Sequence, residues 1–546
     1  MRRLPPAVSA PRRQHRPRPL LWPGVLAVGL LAAVPAVSQA QTPNPPPGAE
    51  LRIRGFTVDG QNPLSDNEVS LTLAPFLRQP ATLDNLQKAA QALEARLKAQ
   101  GFSLHRVVLP PQTLEDTIRL NLVRFSMGRV QVEGAQAFPE ETVRQTLPEL
   151  AEGGTPNLER LAVQTAMANE NPSRQIQVAL RASEQPDQID ATVRVQDRRP
   201  LFASVSLNNT GTESTGRDRF TLAAGHHNLF NRDHQLLVAY TTSLAQPGRV
   251  RQLGLNHRIP LYDRLTMVDV AYTHSNVVGD FGSFTSTGAG RTVGLTATRY
   301  FQPQGALRRQ LSLGVEDKTF DPTELNGRVL TGQQLRRTRP LSLAYGVRGQ
   351  GNQSSWDTTW TLVTNLPGGS GNGLAAYRSE SPAVSRARWS ALRVRGGWVG
   401  ALGDGGWMLT GRAQAQWAPT ALIAGEQFGL GGQGSLRGAV ERAMAGDSGW
   451  SGSLELTSPE WGLAGLRWVG FADAGGVSRH GGAALALPGS DHAASLGLGL
   501  RYASGPVAVT LDVGRVVKGS RASLSLNPVA PQSGDHRVHL SVNARY

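Results

Sequence analysis

Few residues of this sequence have the types and spacing that catalysis requires. Residues 446–449 read Gly-Asp-Ser-Gly, a sequence that also surrounds the nucleophile of many serine proteases. A serine protease further needs a histidine base and an orienting carboxylate, and no such constellation accompanies the motif, so a loop turn explains it better. The histidines form no metal-ligand set, no phosphate-binding glycine loop has the required spacing, and the chain has no cysteine. We therefore expect no enzymatic activity, no metal and no cofactor.

The long C-terminal part of the chain alternates between apolar and polar residues. From Phe202 to Tyr546 it breaks into about sixteen short segments of period two. In residues 407–417, for example, Trp407 and Trp417 lie on an apolar row, while Arg412 lies on the polar row between them. At a rise of roughly 3.3 Å per residue and a tilt of about 40°, these two tryptophans reach the two interfaces of a bilayer. The pattern predicts strands with one face toward lipid and the other toward water.

The lengths of the connectors between these segments favour a membrane barrel over a soluble sandwich. Gaps after even-numbered segments are about four to eight residues, whereas most gaps after odd-numbered ones are far longer, as for short periplasmic turns and long outer loops. We expect a transmembrane β-barrel of about 16 antiparallel strands over residues 201–546. The predicted strands are 202–208, 219–226, 234–242, 250–258, 266–274, 292–300, 309–316, 341–348, 358–365, 390–398, 407–417, 450–457, 466–474, 494–502, 507–514 and 537–546.

The first forty residues have the composition of a secretory signal peptide. Six arginines precede an apolar core, Leu20 to Val37, which ends in the small residues of a cleavage site. We assign residues 1–40 to this signal; a membrane-anchor helix is the alternative, which Pro23 and Pro35 disfavour. The six arginines belong to a formal net charge of +15, so the chain after them is nearer +9 and gives no reason to expect nucleic acid as a partner.

Two copies of one α+β unit precede the barrel. Residues 41–50 form a proline-rich linker, after which residues 51–126 and 127–200 each read β-α-α-β-β. The first copy has a strand over 51–58, a helix opened by the capping box Ser65 to Glu68, and a helix from Thr82 to Gly101. Such units expose a strand edge and a groove beside a helix, where an extended polypeptide could add as a strand. A role as mere spacers is the alternative.

This organisation resembles the two-partner secretion transporters, the TpsB or haemolysin secretion/activation group of the BamA-like outer-membrane superfamily. Local sequences agree, including Gln100-Gly101-Phe102 in the first repeat and Asn208-Asn209-Thr210-Gly211 in the first barrel hairpin. The resemblance implies that the repeats are periplasmic POTRA domains and that the barrel lies in the cell outer membrane. It also implies that the protein recognises and secretes a partner exoprotein, of the adhesin or haemolysin type, by two-partner (type Vb) secretion without ATP.

Two motifs carry the resemblance further. Leu436, Arg437 and Gly438 match the superfamily's arginine-glycine loop tip, and Phe471, Asp473 and Gly475 match its wall motif Phe-x-Asp-x-Gly. The resemblance implies that loop 418–449 folds into the lumen and that Arg437 pairs with Asp473. Such a pair at about 4 Å gains on the order of 1 kcal/mol in water and about 4 kcal/mol where water is partly excluded, which suits a movable plug. The alternative is an ordinary loop arginine and a solvated carboxylate.

The sequence departs from the family pattern in two places. Ala439 stands where an aromatic residue commonly follows the Arg-Gly pair, which questions part of the packing of the tip. Residues 41–50 are too short and proline-rich for the plug helix that some members carry, so we expect none.

The C-terminal strand carries a further signal. Val538, Leu540, Val542 and Tyr546 alternate and end on an aromatic residue, which resembles the strand read by the barrel assembly machinery during insertion. We also expect four arginines to face the lumen, namely Arg348, Arg393, Arg395 and Arg412. The expected partners are thus a secreted exoprotein, the assembly machinery and outer-membrane lipid. An outer-membrane assembly factor and a general porin are the alternative functions.

Overall fold

The computed structural model describes residues 51–546 apart from residues 114, 282, 287, 323, 326, 327, 330 and 482–485. The predicted signal peptide (1–40) and linker (41–50), and with them the expectation about a plug helix, lie outside the described residues. Within those residues no helix is both long enough and apolar enough to cross a bilayer.

The first repeat has the predicted order β-α-α-β-β. Its elements are β1 (Gly55–Asp59), α1 (Asp66–Leu73), α2 (Leu83–Ala99), β2 (His105–Val108) and β3 (Thr117–Arg124). The sheet order is β1-β3-β2, with both helices packed on it. Helix α1 starts at the predicted capping box, in which the Ser65 hydroxyl accepts a hydrogen bond from the Glu68 N–H. The strand predicted from residue 51 begins only at Gly55, because residues 51–53 bond to residues 78–81 instead.

The second repeat follows the same order and packs against the barrel. Its elements are β4 (Ser126–Glu133), α3 (Glu140–Gln145), α4 (Leu158–Ala168), β5 (Arg174–Ala182) and β6 (Gln188–Asp197), with sheet order β4-β6-β5. Its buried core, which includes Val143 and Met167, continues into Tyr262 and Leu265 of a barrel turn. The second repeat and the barrel therefore share one apolar core.

The rest of the described chain forms a closed antiparallel barrel of sixteen long strands, to which the short strand Arg336–Thr338 adds beside β13. Each predicted strand coincides with one of them. The strands are β7 (Leu201–Asn208), β8 (Arg219–Leu229), β9 (His234–Thr242), β10 (Gln252–Leu261), β11 (Thr266–Ser275), β12 (Gly290–Tyr300), β13 (Leu307–Phe320), β14 (Pro340–Gln350), β15 (Ser354–Asn365), β16 (Ser390–Leu402), β17 (Trp407–Trp417), β18 (Ser448–Thr457), β19 (Leu466–Ser478), β20 (Ser490–Ser504), β21 (Val507–Lys518) and β22 (His536–Arg545).

The barrel closes between its last and first strands. Strand β22 pairs with β7 over five residue pairs, from Ser541 opposite Asn208 to Arg545 opposite Ser204. Beyond the strand end, the main chains of Ala203 and Tyr546 exchange two hydrogen bonds. Closure matters in a membrane because an open strand edge would leave backbone groups without partners in lipid.

The long connectors carry short elements of their own. The connector between β15 and β16 contains helix α5 (Leu374–Arg378). Four short hairpin arms of two or three residues lie in the loops after β11 and β13, and a further hairpin joins Phe428–Leu430 to Met444–Gly446. Single 3-10 turns occupy Ala74–Phe76, Pro148–Leu150, Pro247–Arg249, Tyr262–Arg264 and Ala424–Glu426.

Candidate functional site

The connector between β17 and β18 packs against the inward face of the barrel wall. We call residues 418–447 the lumen loop; it ends two residues before the predicted limit because β18 begins at Ser448. Its hairpin arms and tip form a buried apolar cluster with wall residues of β19 and β20. In this cluster Leu436 is fully buried and packs with Leu430 and Met444 of the hairpin and with Val477 of the wall. The lumen loop is thus a folded part of the barrel interior.

Glycines allow the lumen loop to approach the wall closely. Gly438 has φ +100°, a backbone conformation that residues with a side chain rarely adopt. A Cβ at this position would lie 3.2 Å from the Gly514 carbonyl oxygen of β21. On β19, a Cβ at Gly475 would lie 2.5 Å from a methyl group of Leu430. The predicted motif residues Gly438 and Gly475 are therefore contact points between the tip, the hairpin and the wall.

Arg437 at the tip is buried in a cage of wall residues. Its Nε and Nη2 donate to the two carboxylate oxygens of Asp473 at 2.8 and 2.6 Å, and its main-chain N–H donates to the same group at 3.0 Å. Nη1 donates to Glu455 Oε1 at 2.6 Å, and Nη2 donates to the Ser453 hydroxyl at 3.0 Å. The guanidinium also lies over the Phe471 ring, 3.5 Å from its centre. Two residues of the wall motif, Phe471 and Asp473, and two residues of the neighbouring strand β18 thus contact one side chain.

The acids around Arg437 also bind other cations of the wall. Glu455 accepts a hydrogen bond from Arg412 at 2.8 Å, and Asp512 accepts one from Arg501 at 2.7 Å. Asp512 also lies 3.9 Å from Arg437. Three carboxylates and three guanidinium groups therefore balance each other across β17 to β21, and we call this set the tip cluster: Arg412, Arg437, Glu455, Asp473, Arg501 and Asp512. Glu455 and Asp512 thus have more than one cation each, whereas Asp473 pairs with Arg437 alone among the described residues.

The alternation of β19 places Asp473 on the lumen side of the barrel. Phe471 and Asp473 are buried on the inward side, whereas Trp468 and Ala472 are exposed on the outward side. A carboxylate on the outward side would face lipid, which is costly. The alternation of this strand therefore places the acid where the loop cation reaches it.

The motif of residues 446–449 fixes the ends of the lumen loop. Asp447 is buried; it accepts hydrogen bonds from the main-chain N–H groups of Leu422 at 2.8 Å and His480 at 2.7 Å. The Ser448 hydroxyl accepts a hydrogen bond from the Ala418 N–H at 2.9 Å. Both side chains tie the start of the loop to its end, which accounts for their presence without catalysis. Among the described residues, no group of three or more acidic or histidine side chains could hold a metal ion.

Comparison with known proteins places the chain in a family. Residues 187–502 match the family model of the haemolysin secretion/activation proteins ShlB/FhaC/HecB, and residues 51–124 match the ShlB-type POTRA domain. The chain belongs to this family. Members are outer-membrane transporters of two-partner secretion, so the barrel lies in the outer membrane and the POTRA domains lie in the periplasm.

Individual relatives agree with this assignment. The chain is 23% identical over 431 residues to the outer membrane transporter CdiB of Escherichia coli, covering 77% of this chain and 70% of that one. It is 20% identical over 313 residues to the heme/hemopexin transporter protein HuxB of Haemophilus influenzae, covering 56% and 54%. The solved structure of CdiB from Escherichia coli superposes with a TM-score of 0.68 at 19% identity, over 93% of both chains, and CdiB from Acinetobacter baumannii with 0.67 at 16%, over 91% and 90%. The fold is therefore shared with both structures.

The inward arginines predicted in this two-partner secretion transporter occupy different surroundings. Arg412 belongs to the tip cluster, and Arg393 binds Glu426 of the lumen loop at 2.9 Å. Arg395 lines a cavity of about 300 Å³ between the tip and the wall. Arg348 lies 3.5 Å from Glu170 of the second POTRA domain, at the periplasmic mouth. These arginines therefore follow the lumen from one end to the other.

The structure leaves the packing around Ala439 complete. This alanine is buried in the cluster of Leu436 and Met444, so the position common for an aromatic residue is filled by its neighbours. At the C-terminus, Val538, Leu540 and Tyr546 are exposed on the outward row of β22, and Val542 is half-buried. The outward row therefore has the apolar composition that lipid contact requires.

Sequence reasoning missed three members of the tip cluster, namely Glu455, Arg501 and Asp512. Each lies on the inward row of its strand, so the alternation of β18, β20 and β21 could have marked all three as lumen residues. Their mutual contacts depend on the register of neighbouring strands, in which Ser453 is opposite Asp473 and Arg501 is opposite Thr510. Periodicity within one strand carries no information on that register.

Proposed function

We propose that this transporter exports one partner polypeptide, an exoprotein of the adhesin or haemolysin type, past a lumen loop that acts as a gate. The observation that carries this proposal is the tip cluster, which holds Arg437 in the lumen by ion pairs and not by covalent or purely apolar contacts. In this account the loop tip leaves the wall when the polypeptide passes. Arg437 and Asp473 form the latch of the gate.

The chemistry of the tip cluster supports a latch that opens reversibly. A buried pair loses much of its Coulomb energy to desolvation, so the net gain of closing is modest. When Arg437 leaves, Arg412 and Arg501 remain beside Glu455 and Asp512, which limits the penalty for the open state. A latch of this kind holds the gate closed at rest and yields to a competing polypeptide.

The POTRA domains supply surfaces that fit an unfolded polypeptide. Strands β4 and β5 are the outer strands of the second sheet, and β1 and β2 those of the first. Beside β4 lies a groove of about 280 Å³, lined by apolar side chains of the sheet and of α3, among them Val130, Val132, Val143 and Leu147. A strand edge next to an apolar groove suits capture by strand addition, with main-chain hydrogen bonds for affinity and pockets for alternate side chains.

Export by this route uses no ATP in our proposal. The sequence has no phosphate-binding glycine loop of the required spacing. Folding of the exported polypeptide outside the cell would supply the direction, because a folded product cannot return through the barrel. We further propose that the assembly machinery inserts the barrel by reading the C-terminal strand.

Export of a co-expressed partner tests both parts of the proposal. Deletion of residues 51–197 removes the capture surfaces, so we expect the partner to disappear from the medium while heat-modifiable barrel remains in the outer membrane. Arg437→Glu reduces export because it sets like charges against Asp473, and the exchange Arg437→Asp with Asp473→Arg restores part of it. Undiminished export by the deletion variant contradicts the capture role, and undiminished export by Arg437→Glu together with wild-type ion conductance contradicts the latch.

The same experiment separates the alternative functions. A general porin depends on its barrel alone. Deletion of residues 51–197 would then leave its solute flux unchanged and would not reduce the secretion of any polypeptide. An assembly factor would change the amounts of many outer-membrane proteins when Arg437 is replaced. Loss of one secreted polypeptide, with other outer-membrane proteins at normal levels, is the result that supports the transporter.

A further inference from the structure

A second cluster of charges holds the lumen loop eleven residues before its tip. Glu426 ends the 3-10 turn Ala424–Glu426, and its side chain is 1% exposed. Its carboxylate accepts hydrogen bonds from Arg393 at 2.9 Å and from the Thr338 hydroxyl at 2.9 Å, and Lys318 lies 3.6 Å away. Its main-chain carbonyl accepts a hydrogen bond from Gln416 at 3.0 Å. We call these five residues the root cluster.

The root cluster reverses the polarity of the tip cluster. At the tip a loop cation enters a group of wall acids, whereas at the root a loop anion enters a group of wall cations on β13 and β16. The charged wall residues of the two clusters lie on different strands, Lys318 and Arg393 on β13 and β16 and the charged wall groups of the tip on β17 to β21, while β17 also contributes Gln416 to the root. The lumen loop is therefore fixed to the wall at two places by independent interactions.

The surroundings of the root are those of a fixed anchor. Residues just before Glu426, including Leu422 and Ile423, pack in an apolar core with Tyr377 and Trp389 of the connector that contains α5. Displacing Glu426 would leave Arg393 without its carboxylate and Lys318 with Glu316 alone, at 3.1 Å, which is unfavourable for partly buried charges. Release of the root must therefore disrupt both this apolar core and the ion pairs of Glu426.

The chain between the two clusters is long enough to let the tip move alone. About eleven residues separate Glu426 from Arg437, and a chain of that length spans up to about 36 Å when extended. The tip can therefore leave Asp473 while Glu426 stays bound. We propose that Glu426 is a positioning residue that anchors the lumen loop while the tip moves and returns the tip to its closed position. This inference rests on the proposed gate.

Single-channel recording of the purified full-length protein in planar bilayers tests the anchor. Arg437→Gln raises the frequency of opening, whereas Glu426→Gln lengthens each opening at least about tenfold, because a loop without its anchor returns slowly. Glu213→Gln, on an exposed outer loop, is the matched control and keeps wild-type gating. Thr338→Val, which removes one hydrogen bond to Glu426, lengthens openings by about fivefold and serves if Glu426→Gln does not assemble.

A charge exchange separates anchoring from general damage. Glu426→Lys lengthens openings, and adding Arg393→Glu shortens them again because positions 426 and 393 regain opposite charges while Lys318 keeps Glu316. Wild-type open times in Glu426→Gln and Thr338→Val, with altered gating in Arg437→Gln, overturn the anchor and leave the gate intact. Wild-type gating in all of these variants overturns the gate as well. A Glu426→Lys, Arg393→Glu protein that gates like Glu426→Lys alone also overturns the anchor.

Discussion

Two buried arginines join separate parts of this transporter to its barrel, and their surroundings differ. Arg437 joins the lumen loop to the wall, and Arg174 joins the second POTRA domain to the turn after β8, where its Nη2 donates to Asp233 at 2.9 Å. Each guanidinium also lies over a phenylalanine ring, at 3.5 Å from Phe471 and at 5.0 Å from Phe138. A buried arginine paired with a carboxylate and stacked on a phenylalanine ring thus occurs both at the loop tip and at the domain junction.

The junction is built around one carboxylate, Asp233, which pairs with a single cation, Arg174. Asp233 also accepts hydrogen bonds from Asn171 at 2.7 Å and from the Tyr262 hydroxyl. Burial beside Asp233 raises the pKa of Tyr262, so its hydroxyl remains a donor at any physiological pH. These groups border the apolar core that runs from the POTRA domain into the barrel turn. At the tip cluster, by contrast, each of Glu455 and Asp512 has a second cation.

This difference separates a permanent joint from a releasable one. Removing Arg174 leaves Asp233 with no cation, and removing Arg437 does the same to Asp473, but Glu455 and Asp512 keep Arg412 and Arg501. Separating the junction would in addition open the apolar core that the POTRA domain shares with the barrel turn, so we expect it to cost more free energy. The POTRA domain is expected to stay aligned with the barrel mouth while the loop tip moves.

Replacing Arg174 has the largest expected effect. Arg174→Met leaves Asp233 unpaired and destabilises the junction by about 3–5 kcal/mol. Thermolysin digestion of the purified full-length protein in detergent measures this as faster cleavage of residues 51–197. Arg181→Met, an exposed arginine of the same strand, is the control. Equal cleavage rates in Arg174→Met and the control would show that the junction is no permanent joint.

Replacing Asp473 has a smaller expected effect on the docked loop. Asp473→Asn removes the charge that binds Arg437 through three hydrogen bonds, and Glu455 retains part of the interaction. We expect a loss of roughly 2–3 kcal/mol in the closed state. The open probability in bilayer recordings reports it, with the exposed Asp404→Asn as control. An open probability equal to that of the control contradicts the latch.

Replacing Gly475 tests how the hairpin of the lumen loop packs against the wall, without changing any charge. Gly475→Ala places a methyl group where Leu430 packs, which costs about 1–2 kcal/mol of the docked state. The open probability rises, and Leu430→Ala in the same chain brings it back toward that of Leu430→Ala alone. A Gly475→Ala protein that gates like wild type would mean that the hairpin does not have to dock for closure.

Ser453 has the smallest expected effect. Ser453→Ala removes one hydrogen bond to Arg437 Nη2 and costs about 1 kcal/mol of the closed state. Recordings should show a modest rise in open probability, below that of Asp473→Asn. If Ser453→Ala raises the open probability as much as Asp473→Asn does, loss of any one contact disrupts the whole tip cluster, and its contacts do not contribute separately.

The sequence predicted local structure well and cross-strand structure poorly. The strands from β7 to β22 were predictable because lipid on one side and water on the other impose period two on each strand. The meeting of Arg437 with Asp473 was expected from a resemblance to the family's motifs, and periodicity alone does not reveal it. Glu426 and Asp233 escaped prediction, since their partners lie on distant strands or in another domain and depend on register and docking.

Locking the tip to the wall tests the gate most directly. The chain has no cysteine, so Arg437→Cys with Asp473→Cys supplies the only two thiols, at positions where the main-chain nitrogen of residue 437 lies 3.0 Å from the Asp473 carboxylate. Bilayer recordings of the purified protein then compare the oxidised and reduced forms. We predict that the oxidised form stays closed and that the reduced form, without its latch, opens more often than wild type. Equal opening of the oxidised and reduced forms would contradict a movable lumen loop as the gate.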